Sequence, residues 1–332
     1  MTVGSTAFVF PAFEMKYASY DIRQLEGVVD LFGEALARLG RASSLGVDRV
    51  IAAYGAAERY AGLTDEEKHH LCYIGSCVLA DYVRRRGMTP NWIGPYSMGL
   101  FAALYAARCV SFEEGFALMN HVCQTAHQVG RHRQGYGMGS VVGLSRRRIE
   151  EIVRACGGEV FLSDEMSDKV VILSGKRVEL DRVLEKARAD GAFQGKMLNV
   201  ELPYHSEIMQ EAEDLIASFA NRLCFKDPEC PIVACTDQKI LRTAEEVRRE
   251  VCVNVLRPLN WKRTVEVLVE RGVNRFVECG FCENLSKLLK MSAKHVEVWH
   301  PKRFHKLGVR KSAPSSMAGA EAFSASENAF EC

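Results

Sequence analysis

Asn91-Trp92-Ile93-Gly94-Pro95-Tyr96-Ser97-Met98-Gly99-Leu100-Phe101 sets one serine between a short apolar run, Trp92 and Ile93, and a longer one beginning at Leu100. A serine between a strand and a helix, with glycine two residues later, is how a nucleophile elbow reads. The turn lifts the hydroxyl above the sheet, and the next helix aims its unpaired N–H groups and positive dipole end at the reacting centre. The helix is well supported, because Leu100, Ala102, Ala103, Leu104, Ala106 and Ala107 are apolar and no proline interrupts them. Ser-x-Gly is a short motif, and a serine that only caps a helix fits it equally.

Composition bounds the rest. A chain of 332 residues suits one large domain or a domain carrying an insertion. Its 43 basic and 42 acidic residues balance, so no global field favours nucleic acid or an anionic membrane. The N-terminal residues lack the basic region of a signal peptide, and no apolar run is long enough to span a bilayer. A cytoplasmic location is expected, with twelve reduced and mostly buried cysteines. Cys279-x-x-Cys282 is a lone pair and falls short of a four-ligand zinc site, so no metal is expected.

Working outward from the elbow, Ala7-Phe8-Val9-Phe10 reads as a first buried strand closed by Pro11. Helical spacing covers 22–39 and 48–60, and Thr64 caps a helix that Gly87 ends. Ser111 caps a further helix through about residue 128. From Gly135 the texture changes. Strands at 138–144, 160–162, 170–173 and 196–202 alternate with helices at 145–156 and 178–189. That is β-α-β-β-α-β, the ferredoxin-like arrangement. The expected organisation is α/β. Residues 1–134 and 204–306 form a large α/β-hydrolase-like subdomain with a parallel-sheet core, 135–203 an inserted ferredoxin-like small subdomain, and 307–332 a flexible Ser/Ala-rich tail.

A serine nucleophile needs a base. Of nine histidines, His205 alone follows a strand-like run through Pro203 and Tyr204 and precedes an amphipathic helix, a loop position that can face a cleft. A structural histidine fits the same pattern. Phe8-Val9-Phe10-Pro11, Ser97-x-Gly99, Leu202-Pro203-Tyr204-His205-Ser206, Pro258-Leu259-Asn260-Trp261 and Glu278-Cys279-Gly280 supply the further context. Their order resembles that of malonyl-CoA:acyl-carrier-protein transacylases and the acyltransferase domains of polyketide synthases, over about residues 7 to 300. The resemblance implies Ser97 as nucleophile and His205 as general base and later acid. It also implies backbone N–H groups of Met98 and Phe13 as the oxyanion hole, and the backbone carbonyl of Asn260 as the group orienting the histidine. It implies no bound cofactor, an acyl-CoA or acyl-carrier thioester as substrate, and an acyl carrier protein as partner to a monomeric enzyme.

The departures from that family concern the substrate. The family's glycine-rich loop is replaced by Ala12-Phe13-Glu14-Met15-Lys16, and its Gly-His before the serine by Pro95-Tyr96. The family's glutamine on the preceding helix aligns with His69. Malonyl-type members carry an arginine 25 residues after the serine, whose planar fork pairs with a free carboxylate. That position is Val122 here. The acyl pocket is therefore expected to be apolar, built from Tyr96, Val122, Tyr204, Met166 and His69 with Phe13, and to favour an uncharged acyl group in polyketide or fatty-acid-like synthesis. Two alternatives are a thioester hydrolase using the same pair, and a malonyl transferase whose carboxylate is met by Arg131 or Arg133. A third treats the altered loops as decay to a carrier-binding protein, against which the retention of both Ser97 and His205 counts. Arg84-Arg85-Arg86, Arg146-Arg147-Arg148 and Lys287/Lys290/Lys294 are candidate carrier contacts, although such runs are usually solvated faces.

Overall fold

The computed structural model describes residues 4–12, 22–43, 45–55, 61–130, 134–280, 283–293 and 295–307. Strand β1 (Ser5–Phe10) is buried along almost its whole length, as an interior strand of a parallel sheet must be. It lies between β2 (Trp92–Pro95) and β9 (Val273–Glu278), both parallel to it. The sheet extends through β10 (Glu297–Trp299) on one side, and through β7 (Ile232–Val233) and an antiparallel edge strand β8 (Ile240–Leu241) on the other.

The two faces of β1 feed two cores, because successive side chains alternate across a strand. Phe8, Phe10 and Ile93 pack with the helices Val28–Leu39, Asp65–Arg85, Gly99–Ala106 and Phe112–Gly130. Ala7 and Val9 pack with Trp261, Val265, Leu268 and Phe276 around the helix Trp261–Glu270. Thr64 and Glu67 cap the long helix reciprocally. The helix expected over 22–39 is split: Gly27 adopts φ 76°, leaving a 3-10 turn at Ile22–Gln24 before Val28–Leu39. The segment after His205 likewise begins as a 3-10 helix, Glu207–Ala212, before the α-helix Glu213–Ala220.

The second sheet joins β3 (Tyr136–Val142), β4 (Val160–Ser167), β5 (Val170–Lys176) and β6 (Gln194–Met197) in the order β4-β5-β3-β6, every pair antiparallel. The helices Arg146–Cys156 and Arg177–Ala189 bury Ile149, Ile152, Leu180, Val183 and Leu184 against Val141, Val171 and Leu173. The chain path and strand order are ferredoxin-like. This sheet meets the rest of the chain at β4, where Asp164 bridges Leu259, just before the helix Trp261–Glu270, and the Leu259 N–H donates to the Ser163 carbonyl at 2.8 Å.

The free cysteines among the described residues are mostly buried. Cys282 of the Cys-x-x-Cys pair, and residues 308–332 of the expected tail, lie outside the described residues. No helix among the described residues is long and apolar enough to cross a membrane.

Candidate active site

The elbow forms because β2 ends at Pro95 and the next helix begins at Gly99, leaving three residues to reverse the chain. Tyr96 N–H donates to the Phe10 carbonyl (2.9 Å), and Gly99 N–H to the Tyr96 carbonyl (2.9 Å). Ser97 is thereby held at φ 51°. His205 is held at φ 59°, and these two are among only four described non-glycine residues with positive φ. Such conformations cost on the order of 1–3 kcal/mol each and persist where the surroundings over-determine them. Gly99 is required by contact: a Cβ there would lie 2.2 Å from the Phe10 carbonyl oxygen and 2.6 Å from that of Pro11.

Ser97 and His205, 108 residues apart in sequence, meet at 2.7 Å between Oγ and Nε2, and both are buried. His205 Nδ1 lies 2.8 Å from the Asn254 carbonyl. A carbonyl only accepts, so Nδ1 carries the proton and Nε2 is left as the acceptor facing the serine hydroxyl. The His205 backbone N–H donates to the Val255 carbonyl at 2.9 Å. Burial pushes the imidazole down to about 4, opposed by the carbonyls of Asn254 and Arg257. It is therefore neutral and able to accept a proton near pH 7. Met98 N–H, at the start of the helix, has no partner among the described residues. The arrangement can deprotonate a hydroxyl as it attacks an acyl carbon, and can offer a backbone donor to the oxygen that becomes charged.

The orienting carbonyl corrects the sequence expectation. Asn260 instead caps the helix Trp261–Glu270, its side chain accepting from Arg263 N–H at 2.9 Å, while its own carbonyl accepts from Thr264 N–H. It is occupied as a helix start, and the chain six residues earlier passes behind the imidazole. Phe13 lies outside the described residues, as do Arg131 and Arg133.

The expected pocket residues divide. A small cavity with room for about one water is lined by Pro11, Cys72, Tyr73, Ser76, Met98, Gly99, Ala102 and Met119. Val122 is buried one turn beyond Met119 on the same helix and in the same core. Tyr204 packs against that core, its ring centroid 6.3 Å from that of His205. Tyr96 does not join them. Trp92 and Gly94 face the opposite core, where a side chain at Gly94 would meet Leu268, and Tyr96 keeps their phase. Its ring packs edge-on against Trp261 at 5.6 Å. Met166 is half-exposed on β4 and belongs to none of the three apolar clusters. His69 is also half-exposed. The histidine turned inward is His70, with Nε2 3.0 Å from Asn120 Oδ1 and its ring tilted against Phe116. His121 stacks on Phe219, with Nε2 3.1 Å from the Leu215 carbonyl, away from the phase of Val122. Asn254, Asp164, Ser163 and Ser174 were not singled out by sequence. A backbone carbonyl and buried strand polar groups leave no pattern to find.

Of the basic runs, Arg146, Arg147 and Arg148 pair with Glu150, Glu151 and Asp190. Arg85 pairs with Glu34, and Arg86 stacks on Tyr82. Lys294 is outside the described residues.

An α/β protein that closes a buried serine–histidine pair at a strand–helix elbow, with a neutral imidazole and a small uncharged recess beside it, has the architecture of an acyl-transfer enzyme. Residues 75–303 match the acyl transferase domain family, and the chain belongs to it as an acyltransferase. The malonyl CoA-acyl carrier protein transacylase of Staphylococcus aureus (strain MRSA252) is 24% identical over 260 residues, 77% of this chain and 83% of that protein. The solved malonyl CoA-acyl carrier protein transacylase of Coxiella burnetii superposes with a TM-score of 0.80 at 24% identity, covering 92% of this chain and 97% of that one. A malonyl-transacylase solved in complex with its type II PKS acyl-carrier protein gives 0.78 at 23% identity, covering 89% and 95%. The structural likenesses carry the fold, α/β with two subdomains.

Proposed function

We propose that the protein moves an uncharged acyl group from a thioester donor to the phosphopantetheine thiol of an acyl carrier protein, through an ester on Ser97. His205 Nε2 takes the Ser97 proton as Oγ bonds to the thioester carbonyl carbon. The tetrahedral oxyanion is met by the N–H groups of Met98 and Phe13. Its collapse breaks the C–S bond, and the proton on Nε2 leaves with the first thiol. The carrier thiol then gives its proton to Nε2, attacks the ester and returns Ser97 with that proton. The Nδ1 bond to Asn254 stabilises the imidazolium at each stage. No cofactor is needed beyond the thioester itself.

A carrier protein as acceptor is supported by the relatives, whose names specify acyl carrier protein transacylases, and by the complex in which a malonyl-transacylase holds its carrier. The acyl preference rests on one observation: among the described residues, the recess beside Met98 and Gly99 has no charged side chain in its lining, and Val122 follows on the next turn. Leaving a buried carboxylate unpaired costs about 3 kcal/mol or more, a factor of roughly 10² in rate.

Intact-mass spectrometry of the protein incubated with acetyl-, butyryl- and malonyl-CoA, followed by a chase with holo-carrier, tests this reading. Acetyl or butyryl mass on wild type, absent in Ser97→Ala and transferred to the carrier, is the expected result. Malonylation as fast as acetylation overturns the acyl preference. Loss of the acyl group to water before the carrier is added makes the enzyme a hydrolase.

A further inference from the structure

Behind the catalytic pair, strands β4 and β5 of the four-stranded sheet reach both residues that precede the pair in sequence. On one side, Asp164 is buried where β4 meets the segment leading into the helix Trp261–Glu270. Its Oδ1 accepts from the Trp261 backbone N–H at 3.1 Å. The Tyr96 ring packs on Trp261, the residue whose N–H Asp164 holds, and the phenol lies near the same carboxyl without a hydrogen bond to it, Asp164 Oδ2 being unpartnered among the described residues. Tyr96 is the residue before Ser97. On the other side, Ser163 Oγ donates to Ser174 Oγ at 2.5 Å, and Ser174 Oγ donates to the Tyr204 carbonyl at 2.6 Å. Tyr204 is the residue before His205. Ser163 is thus adjacent to Asp164 and joined to both arms.

The local backbone explains how adjacent residues of β4 serve two directions. The register between β4 and β5 shifts between Leu162 and Asp164, which places Ser163 in a bulge. A bulge re-aims side chains and strengthens local twist. Ser163 and Ser174 are completely buried, so their hydroxyls are committed to each other and to the Tyr204 carbonyl. Burial also lifts the Asp164 carboxyl to about 7, opposed by the Trp261 N–H and the Tyr96 phenol, and the phenol is itself held well above its usual range by burial. Glu165 and Cys235 are the other titratable groups acting on these two side chains, and Glu165 is neutralised by Lys262 at 3.2 Å.

We propose that Ser163, Asp164 and Ser174 form a positioning clamp that holds Ser97 and His205 in register with one another, each through the residue that precedes it in the chain. Both catalytic residues sit at positive φ, a conformation their own backbones do not favour, so each needs a restraint from outside its own turn. The small subdomain supplies that restraint to both at once, which makes the Oγ–Nε2 distance depend on how it is seated. The clamp rests on the assignment of Ser97 and His205 as the reacting pair and is independent of which acyl group they carry.

The test uses phenylmethylsulfonyl fluoride, which sulfonylates an activated serine whatever the acyl specificity. Labelling of the full chain is followed by intact mass, with thermal unfolding in parallel. Asp164→Ala and Ser174→Ala are each expected to slow labelling about tenfold while the chain remains folded at the assay temperature, and the conservative Asp164→Asn to restore it. In a Tyr96→Ala background Asp164→Ala should add little, because its effect passes through Trp261 to the Tyr96 ring, whereas Ser174→Ala should still slow the reaction. Labelling of both alanine variants within twofold of wild type overturns the clamp. So does a loss in Asp164→Ala that is just as large in the Tyr96→Ala background, or that Asp164→Asn does not restore. Wild type that resists the reagent altogether overturns the clamp together with the catalytic pair. Wild type that is labelled but accepts no acyl-CoA overturns the proposed transfer alone.

Discussion

Replacing Gly99 with alanine tests the elbow through a single methyl group. The added Cβ would stand 2.2 Å from the Phe10 carbonyl oxygen and 2.6 Å from that of Pro11. Both obstacles are backbone, at the end of the strand that anchors Tyr96, so no side chain can swing aside. Reaching even 3.0 Å requires the helix start and the strand end to separate by roughly 0.8 Å. That shift falls on Met98 N–H and on the Ser97 hydroxyl, 2.7 Å from His205 Nε2. A misplacement of about 1 Å in a reacting geometry costs on the order of 10²-fold in rate, and loss of an oxyanion donor costs a similar amount. Gly99→Ala is expected to lower the first-order acylation rate about 10²-fold, with the half-saturating acyl-CoA concentration little changed. Overpacking costs about 1–3 kcal/mol of stability, so the variant should remain folded. Stopped-flow or quenched acylation read by intact mass measures both quantities. A variant that acylates within threefold of wild type refutes the claim that the glycine is required by this approach.

Val122→Arg should raise the malonyl-to-acetyl acylation ratio at least about tenfold, since a buried carboxylate then gains a planar cation, at a stability cost of about 1–3 kcal/mol. An unchanged ratio in competition assays would mean that Val122 does not face the acyl group. Because His205 is held down to about 4 by burial, the acylation rate should stay level from pH 8 to about 5 and fall only as pH drops further and the imidazole becomes protonated; a rate midpoint near 6.5 in an acylation pH series would contradict this. Asp164, Glu250 and Glu278 are each lifted to about 7 by burial, so the folded state binds more protons than the unfolded one between their ordinary range and pH 7. Their contribution is complete below the ordinary range and is lost as pH rises through about 7, so thermal melts should show a lower midpoint at pH 8 than at pH 6.5. The opposite linkage at His205, His70 and His300, which burial lowers, is about half spent at pH 6.5 and so reduces that difference without reversing it. Asn260→Ala should cost about 1 kcal/mol through loss of the helix cap and leave the acylation rate unchanged, because Asn254 carries the orienting carbonyl; a large rate loss in this variant would restore Asn260 to that role.

Much of this protein was legible without its structure, and the legible parts share a cause. Strand β1, the elbow and the capped helices are local: their signals are a run of apolar residues, a turn glycine or a capping side chain within a few positions of the structure they specify. The β-α-β-β-α-β order of the second sheet is of the same kind, since each element announces itself by its own period. Family order then carried the assignment of Ser97 and His205 as a pair, and the structure joins them at 2.7 Å.

What the sequence left open is decided by faces and by backbone atoms. Tyr96 adjoins Ser97 in the chain, yet it shares a core with Trp261 while Val122 lies in the core across the sheet, because alternation along β2 sends neighbours to opposite sides. Asn254 orients His205 through a carbonyl that every residue possesses, so no side-chain pattern could mark it. His70 turns inward and His69 outward because adjacent helical positions point about 100° apart, and only the docked helix settles which of the two is buried. Asp164, Ser163 and Ser174 acquire meaning only when the second sheet is seated against Trp261 and Tyr204. Sequence by itself determined most of the elements, since they are written in residue type and short spacing, and the family resemblance supplied the pairing of Ser97 with His205. Tertiary structure alone decided which atoms hold that pair and which side chains share its recess, since those depend on distances between segments up to about a hundred residues apart.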